Sequence, residues 1–152
     1  DVTLKEGHVL HVYVVHLETP RDGLDEIMGS IRTGRAHMER NATMRSIESA
    51  TARRYVDAVG GQFIVLGDFN LPVESRIYRR SWSDLKNAFS DGGWGLGHTK
   101  FTRRIGVRID HILCSKGCDV SSAHVGKDLG SDHMPVIARL RLHPAIAPVP
   151  TE

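Results

Sequence analysis

The chain has 152 residues, 40% apolar and 25% charged, with a formal net charge of +2 and a pI near 8.7. That is enough chain for one domain with a proper core, and no apolar run approaches the length of a membrane-spanning helix. The basic excess is too mild for the footprint of a dedicated nucleic-acid binder. The chain opens Asp1-Val2-Thr3 with no signal-peptide pattern, and a start of this kind is expected of a trimmed chain or a fragment. Cys114 and Cys118 are its two cysteines. Cys114, ending a strand-like run, reads as a small buried thiol; a disulfide with Cys118 across a tight turn is the lesser alternative, since spacing alone cannot establish its geometry. The two cysteines do not make a structural zinc site.

Residues 2–17 read as a β-hairpin turning at Glu6-Gly7, with Leu10, Val12 and Val14 alternating with more polar neighbours. The second strand delivers His16 at its end, with Glu18 two residues on; Pro20 and Gly23 then break the pattern. Residues 25–59 turn helical, the helix beginning near Gly34 and ending at Gly60-Gly61. Arg32, Arg35, Arg40, Arg45, Arg53 and Arg54 read as a solvated helix face. A sharper reading has Arg40 or Asn41 touching a phosphate.

The stretch Phe63-Ile64-Val65-Leu66-Gly67-Asp68-Phe69-Asn70 lacks the period of a half-exposed strand. It reads as a strand buried on both faces that opens into a loop. Two readings of Asp68 and Asn70 stand side by side. They offer hard oxygens suited to Mg²⁺, Mn²⁺ or Ca²⁺ at a strand end, where ligands bind in open sheets. They also suit an Asx-turn that bonds only local backbone.

Further on, residues 74–82 and 83–89 read as two short helices, the second capped by Ser83. The glycine-rich loop 91–98 has no Gly-Lys-Ser/Thr and is not a P-loop. Strands are expected over 107–115 (carrying Asp110), 120–125 and 136–142. Domain residues 1–143 would then pass into a flexible proline-rich tail, 144–152, marked by Pro144, Pro148 and Pro150.

Four short motifs occur in order: Val15-His16-Leu17, Gly67-Asp68-Phe69-Asn70, Ile109-Asp110-His111-Ile112 and Gly130-Ser131-Asp132-His133-Met134-Pro135. Each is weak alone. Together, over about residues 9–142, they resemble the endonuclease/exonuclease/phosphatase superfamily. It includes DNase I-like nucleases, abasic-site endonucleases, sphingomyelinases and inositol-polyphosphate phosphatases. The resemblance implies an α/β (α+β) fold, a DNase I-like two-sheet β-sandwich flanked by helices.

It also implies a phosphoesterase that hydrolyses phosphodiester or phosphomonoester bonds with Mg²⁺ or Mn²⁺. The substrate would be nucleic acid, a lipid head group or an inositol phosphate. By the same resemblance, Asp68, Asn70 and Asp132 would hold the metal and Asp68 would also activate water. Asp110 would orient His133, and His16, Asn70 and His133 would contact the scissile phosphate. The loop before the Ile-Asp-His motif lies at the substrate mouth in such proteins, which makes Trp94, His98, Lys100 and Arg103 candidates for substrate contact.

One departure stands out. The family's early strands, one ending in Asn and one in Gln-Glu with a metal-ligand glutamate, do not precede Val15-His16-Leu17. The chain is therefore expected to be the C-terminal part of the domain, lacking its N-terminal strands. Val14, Ile64, Leu66 or their neighbours would be bare on one face, and the chain would self-associate through the uncovered sheet. The alternative is a non-catalytic remnant that binds phosphorylated ligands or a protein partner.

Overall fold

The computed structural model describes residues 1–4, 9–19, 31–102 and 105–143. Strand β1 (Val2–Thr3) lies antiparallel to β2 (Val9–His16). The turn predicted at Glu6-Gly7 and the breaks at Pro20 and Gly23 lie outside the described residues, as does the tail 144–152. Helix α1 (Ile31–Val59) stops at Gly60 and Gly61, whose positive φ of 67° and 74° suits residues without a Cβ.

The chain then runs through β3 (Phe63–Asp68), α2 (Arg76–Ser81), β4 (Lys86–Asn87) and α3 (Ala88–Gly92). It continues as β5 (Lys100–Thr102), β6 (Ile105–Val107), β7 (Asp110–Cys114), β8 (Cys118–Val125) and β9 (Val136–Leu142). Five strands form one sheet in the order β1-β2-β3-β7-β4, while β5-β6 and β8-β9 are separate two-stranded ribbons. The β2–β3 pair is parallel and the other pairs in the large sheet are antiparallel.

Side chains alternate between the faces of a strand, so the register sorts the large sheet into two sides. Tyr13, Val15, Phe63, Val65 and Leu113 share one face and pack with Val56 of α1 and with Phe69, Tyr78 and Trp82. The Trp82 indole N–H donates to Ser49 Oγ at 2.7 Å, which ties α1 to the end of α2 inside this core. On the other face, Ile112 packs with α3 and the β8–β9 ribbon through Ala88, Phe89, Ala123, Val120 and Leu140. This is the expected sandwich of sheet on sheet with helices outside. Toward β2 that second face opens to solvent. Val14 is 76% exposed, while Ile64 and Leu66 are half-buried.

Three expectations about elements change. Residues 83–87 are not helical, and the helix expected over 83–89 begins only at Ala88. Lys86 and Asn87 instead pair with Cys114 and Leu113 at the sheet edge, and Asn87 caps α3 by accepting from Ser90 N–H at 3.1 Å. A ladder with β7 outweighed local helix preference there. The strand expected over 107–115 is broken between β6 and β7, because Thr99 Oγ1 accepts from both Ile109 and Asp110 N–H, at 3.1 and 3.2 Å. The helix reaches back to Ile31, ahead of the predicted start at Gly34.

Cys114 and Cys118 are free thiols and buried. Of the helix arginines, Arg53 makes a two-armed bond to Asp84, at 2.5 and 2.7 Å, and Arg40 is exposed. The side chains of Arg32 and Arg35 lie outside the described residues.

Candidate active site

Three predicted residues meet in one row of the large sheet. His16 ends β2, Asp68 ends β3 and Asp110 begins β7, and the register pairs His16 with Asp68 and Asp68 with Asp110. All three belong to the same side of the pleat. The strands can run this close because position 67 is glycine. A Cβ there would lie 2.1 Å from the Val15 carbonyl oxygen, and φ is +134°.

The chain turns sharply after Asp68. Asp68 Oδ1 accepts from Asn70 N–H at 2.8 Å, which is an Asx-turn, and Asn70 takes a left-handed φ of 49°. Asp68 Oδ2 faces the other way, 3.8 Å from both His16 Nε2 and His133 Nε2. The two readings of Asp68 therefore divide between its two oxygens. Asn70 is buried; its amide donates to the Leu17 carbonyl at 2.8 Å, and its own carbonyl accepts from the Arg45 guanidinium. Asn41, a candidate phosphate contact, donates instead to the Thr19 carbonyl at 3.1 Å.

His133 arrives from the segment before β9. Its Nδ1 lies 2.9 Å from Asp110 Oδ2. Its backbone bridges to Lys100, and Met134 N–H donates to the Thr99 carbonyl at 2.6 Å. Asp68, Asp110 and His133 thus form a group whose ligand atoms all lie within 4.8 Å of one another. Two carboxylates and an imidazole that close fit a divalent cation with a preference for hard oxygens. Asp132 is not gathered with them. Its carboxylate is 68% exposed and reaches the Lys100 ammonium at 3.1 Å.

Residues 7–133 match the model of the Endonuclease/Exonuclease/phosphatase family. The chain belongs to that family. No curated protein matches it significantly. Among solved structures, the human Nocturnin catalytic domain with bound sulfate anion aligns at 20% identity and a TM-score of 0.64, covering 91% of this chain and 49% of that one. A mannosyl-6-phosphatase of Bacteroides thetaiotaomicron aligns at 22% and 0.58, covering 66% and 46%. A 3′ phosphatase from Neisseria bound to product DNA hairpin aligns at 20% and 0.52, covering 69% and 55%. At these identities the likeness is one of fold. This family member spans about half the length of the structures it matches.

Burial separates the two histidines of the third and fourth motifs. His111 is buried between Phe69 and Tyr78, and burial pushes its pKa down to about 4. Its Nε2 sits 2.8 Å from the Leu71 carbonyl and its Nδ1 3.2 Å from Asn87 Nδ2. It is part of the packing behind the site. The Lys100 ammonium holds the Asp132 carboxyl below the usual carboxylate range.

Of the loop candidates, Lys100 lines the cleft with His16, Thr19, Asp68, Asn70, Asp110 and His133. Trp94 and His98 line a separate groove with Phe89, Phe101 and His124, and Arg103 lies outside the described residues. Two supporting residues escaped the sequence reading. Thr99 ties β5, the start of β7 and the His133 segment together, and Arg45 holds the Asn70 carbonyl. Arg45 carried no signal that set it apart from the other helix arginines. Thr99 precedes Lys100 in a loop where threonine is ordinary.

Proposed function

We propose that this domain hydrolyses phosphate esters with a divalent cation, Mg²⁺ or Mn²⁺. The observation that supports the reading is the row His16, Asp68, Asp110 with His133 closing over it, its Nδ1 against Asp110 and its Nε2 3.8 Å from Asp68 Oδ2. Phosphate esters resist water because their anionic oxygens repel a nucleophile, and catalysis calls for positive charge and hydrogen-bond donors on those oxygens.

In this reading Asp68 uses Oδ2 to orient and deprotonate the attacking water, since the turn already engages Oδ1. Asp110 accepts from the ring of His133 and fixes its direction, so that Nε2 faces the phosphate. His16, 78% exposed at its strand end, meets the phosphate from the other side of Asp68. Asp68 would hold the cation in the group it forms with Asp110 and His133, with Asn70 as a further oxygen, and the cation would neutralise charge on the phosphate when bound; Asp132 would join them only by leaving Lys100. Nucleic acid, lipid head groups and inositol phosphates are the proposed substrate classes.

The test is turnover of a generic phosphodiester and a phosphomonoester in Mg²⁺ and in chelator. Asp68→Asn and His133→Ala should each lower turnover by at least about a hundredfold, the scale of a lost general base or transition-state donor, with circular dichroism unchanged. Wild-type rates from either variant would refute these roles. Binding of phosphorylated ligands with no turnover would favour the non-catalytic alternative.

A further inference from the structure

Building on that reading, we infer that Lys100 is a phosphate-contact residue that biases this site toward terminal phosphomonoesters over internal diesters. Its ammonium stands 2.6 Å from His133 Nε2 and 3.1 Å from Asp132 Oδ2. With Asp110 engaging the far nitrogen of the ring, Lys100 occupies the atom of His133 that would otherwise face a ligand. An ammonium has only donors to offer, so an incoming phosphate oxygen is a better partner for it than a ring nitrogen.

The position is built. The side chain is only 18% exposed. Its backbone bridges to His133, and the neighbouring Thr99 is fully buried and bonded to the backbone of Met134, Ile109 and Asp110. A lysine on so constrained a stretch of chain aims its charge into the cleft with less freedom than a surface lysine.

Charge and lining set the class of ligand. The described cleft residues His16, Thr19, Asp68, Asn70, Lys100, Asp110 and His133 are all polar. None of them is a phenylalanine, tyrosine or tryptophan, so the two imidazoles are the ring faces this described lining offers a nucleobase. The imidazoles of His16 and His133 flank Asp68 Oδ2 at 3.8 Å, and the ammonium of Lys100 stands on Asp132 Oδ2 beside them. A terminal phosphate carries about −1.5 to −2 charges near neutral pH, whereas an internal diester carries one. Coulomb attraction scales with that charge, so the extra fixed cation favours the terminal phosphate.

Two measurements on the full chain test this. The first is calorimetric binding of inorganic phosphate in chelator, which needs neither a metal nor turnover. Lys100→Met should weaken it at least about tenfold, the scale of a lost charge-assisted bond. Lys100→Arg should restore most of the binding, and Lys86→Met, a surface lysine paired with Asp119, should change nothing. Asp132→Asn should tighten phosphate binding by freeing the ammonium, and that gain should vanish when Lys100 is Met.

The second measurement is hydrolysis of p-nitrophenyl phosphate and bis(p-nitrophenyl) phosphate. Lys100→Met should raise KM for the monoester by about tenfold and for the diester by less than about threefold. No phosphate binding by the wild type, unchanged binding by Lys100→Met, or equal KM effects on the two esters would each overturn the inference. Phosphate binding through Lys100 with neither ester hydrolysed would sink the proposed activity and leave the inference standing.

Discussion

Gly67 and His111 each carry a constraint that their neighbours in the motifs do not share. Any side chain at position 67 would drive into the Val15 carbonyl, and the backbone there has a positive φ. Gly67→Ala should therefore cost at least about 2 kcal/mol, the combined scale of backbone strain and steric overlap. Urea denaturation measures it, and a loss below about 0.5 kcal/mol would mean the strands do not approach as described. His111 resists protonation in the folded chain, with a pKa of about 4 against 6.5 when free. Between those values the unfolded chain binds more protons. The stabilisation tied to neutral His111 is complete above about pH 6.5 and is lost as pH falls toward 4. By pH 5 the loss should be roughly 2 kcal/mol. His111→Gln should flatten that part of the stability profile between pH 7 and 5, and an unchanged slope would place the titration elsewhere.

At the scale of elements, α1 is held to the rest of the domain by polar contacts as well as by its apolar side. Ser49 and Trp82 are both fully buried and bonded to each other at 2.7 Å. Ser49→Ala would leave an indole N–H in the core with no acceptor. The expected cost is about 1 to 3 kcal/mol, read from the shift in the denaturation midpoint. Replacing Trp82 with Phe in the Ser49→Ala background should recover part of it, because both polar groups are then gone. A neutral Ser49→Ala would show that the indole finds another acceptor. The Arg53–Asp84 pair ties the same helix to the turn after α2, but its exposed carboxylate limits what it contributes.

For the whole molecule, folding and ligand binding are linked through the site, because β2, β3, β7 and the His133 segment all meet there. A cation that binds only the folded chain stabilises it by RT ln(1 + [L]/Kd), about 2.7 kcal/mol at a hundred times Kd. Mg²⁺ or Mn²⁺ should therefore raise the melting temperature in proportion to the logarithm of its concentration, by several degrees for a chain of this size. Asp68→Asn should abolish the rise. If the wild type and Asp68→Asn respond alike, the cation is not held at this site.

How much of this the residues announced depends on the range of the forces involved. Local pattern determined the strands around His16, Asp68 and Asp110 and the long helix with its glycine stop, since these rest on hydrophobic period and on stop signals within a few residues. It left the Asx-turn at Asp68 as one of two readings, and the fold gave one carboxylate oxygen to each. The ordered motifs were also enough for the family. Tertiary structure alone decided three things. It formed β4 at residues 86–87, where the sheet edge prevailed over helix preference. It set Asp132 against Lys100, apart from the Asp68, Asp110 and His133 group. It brought Lys100 to His133 across 33 positions of chain. Such contacts depend on register and on how the His133 segment crosses β5, which are settled by burial of the whole core. No local run of residues encodes which distant charge a side chain will meet.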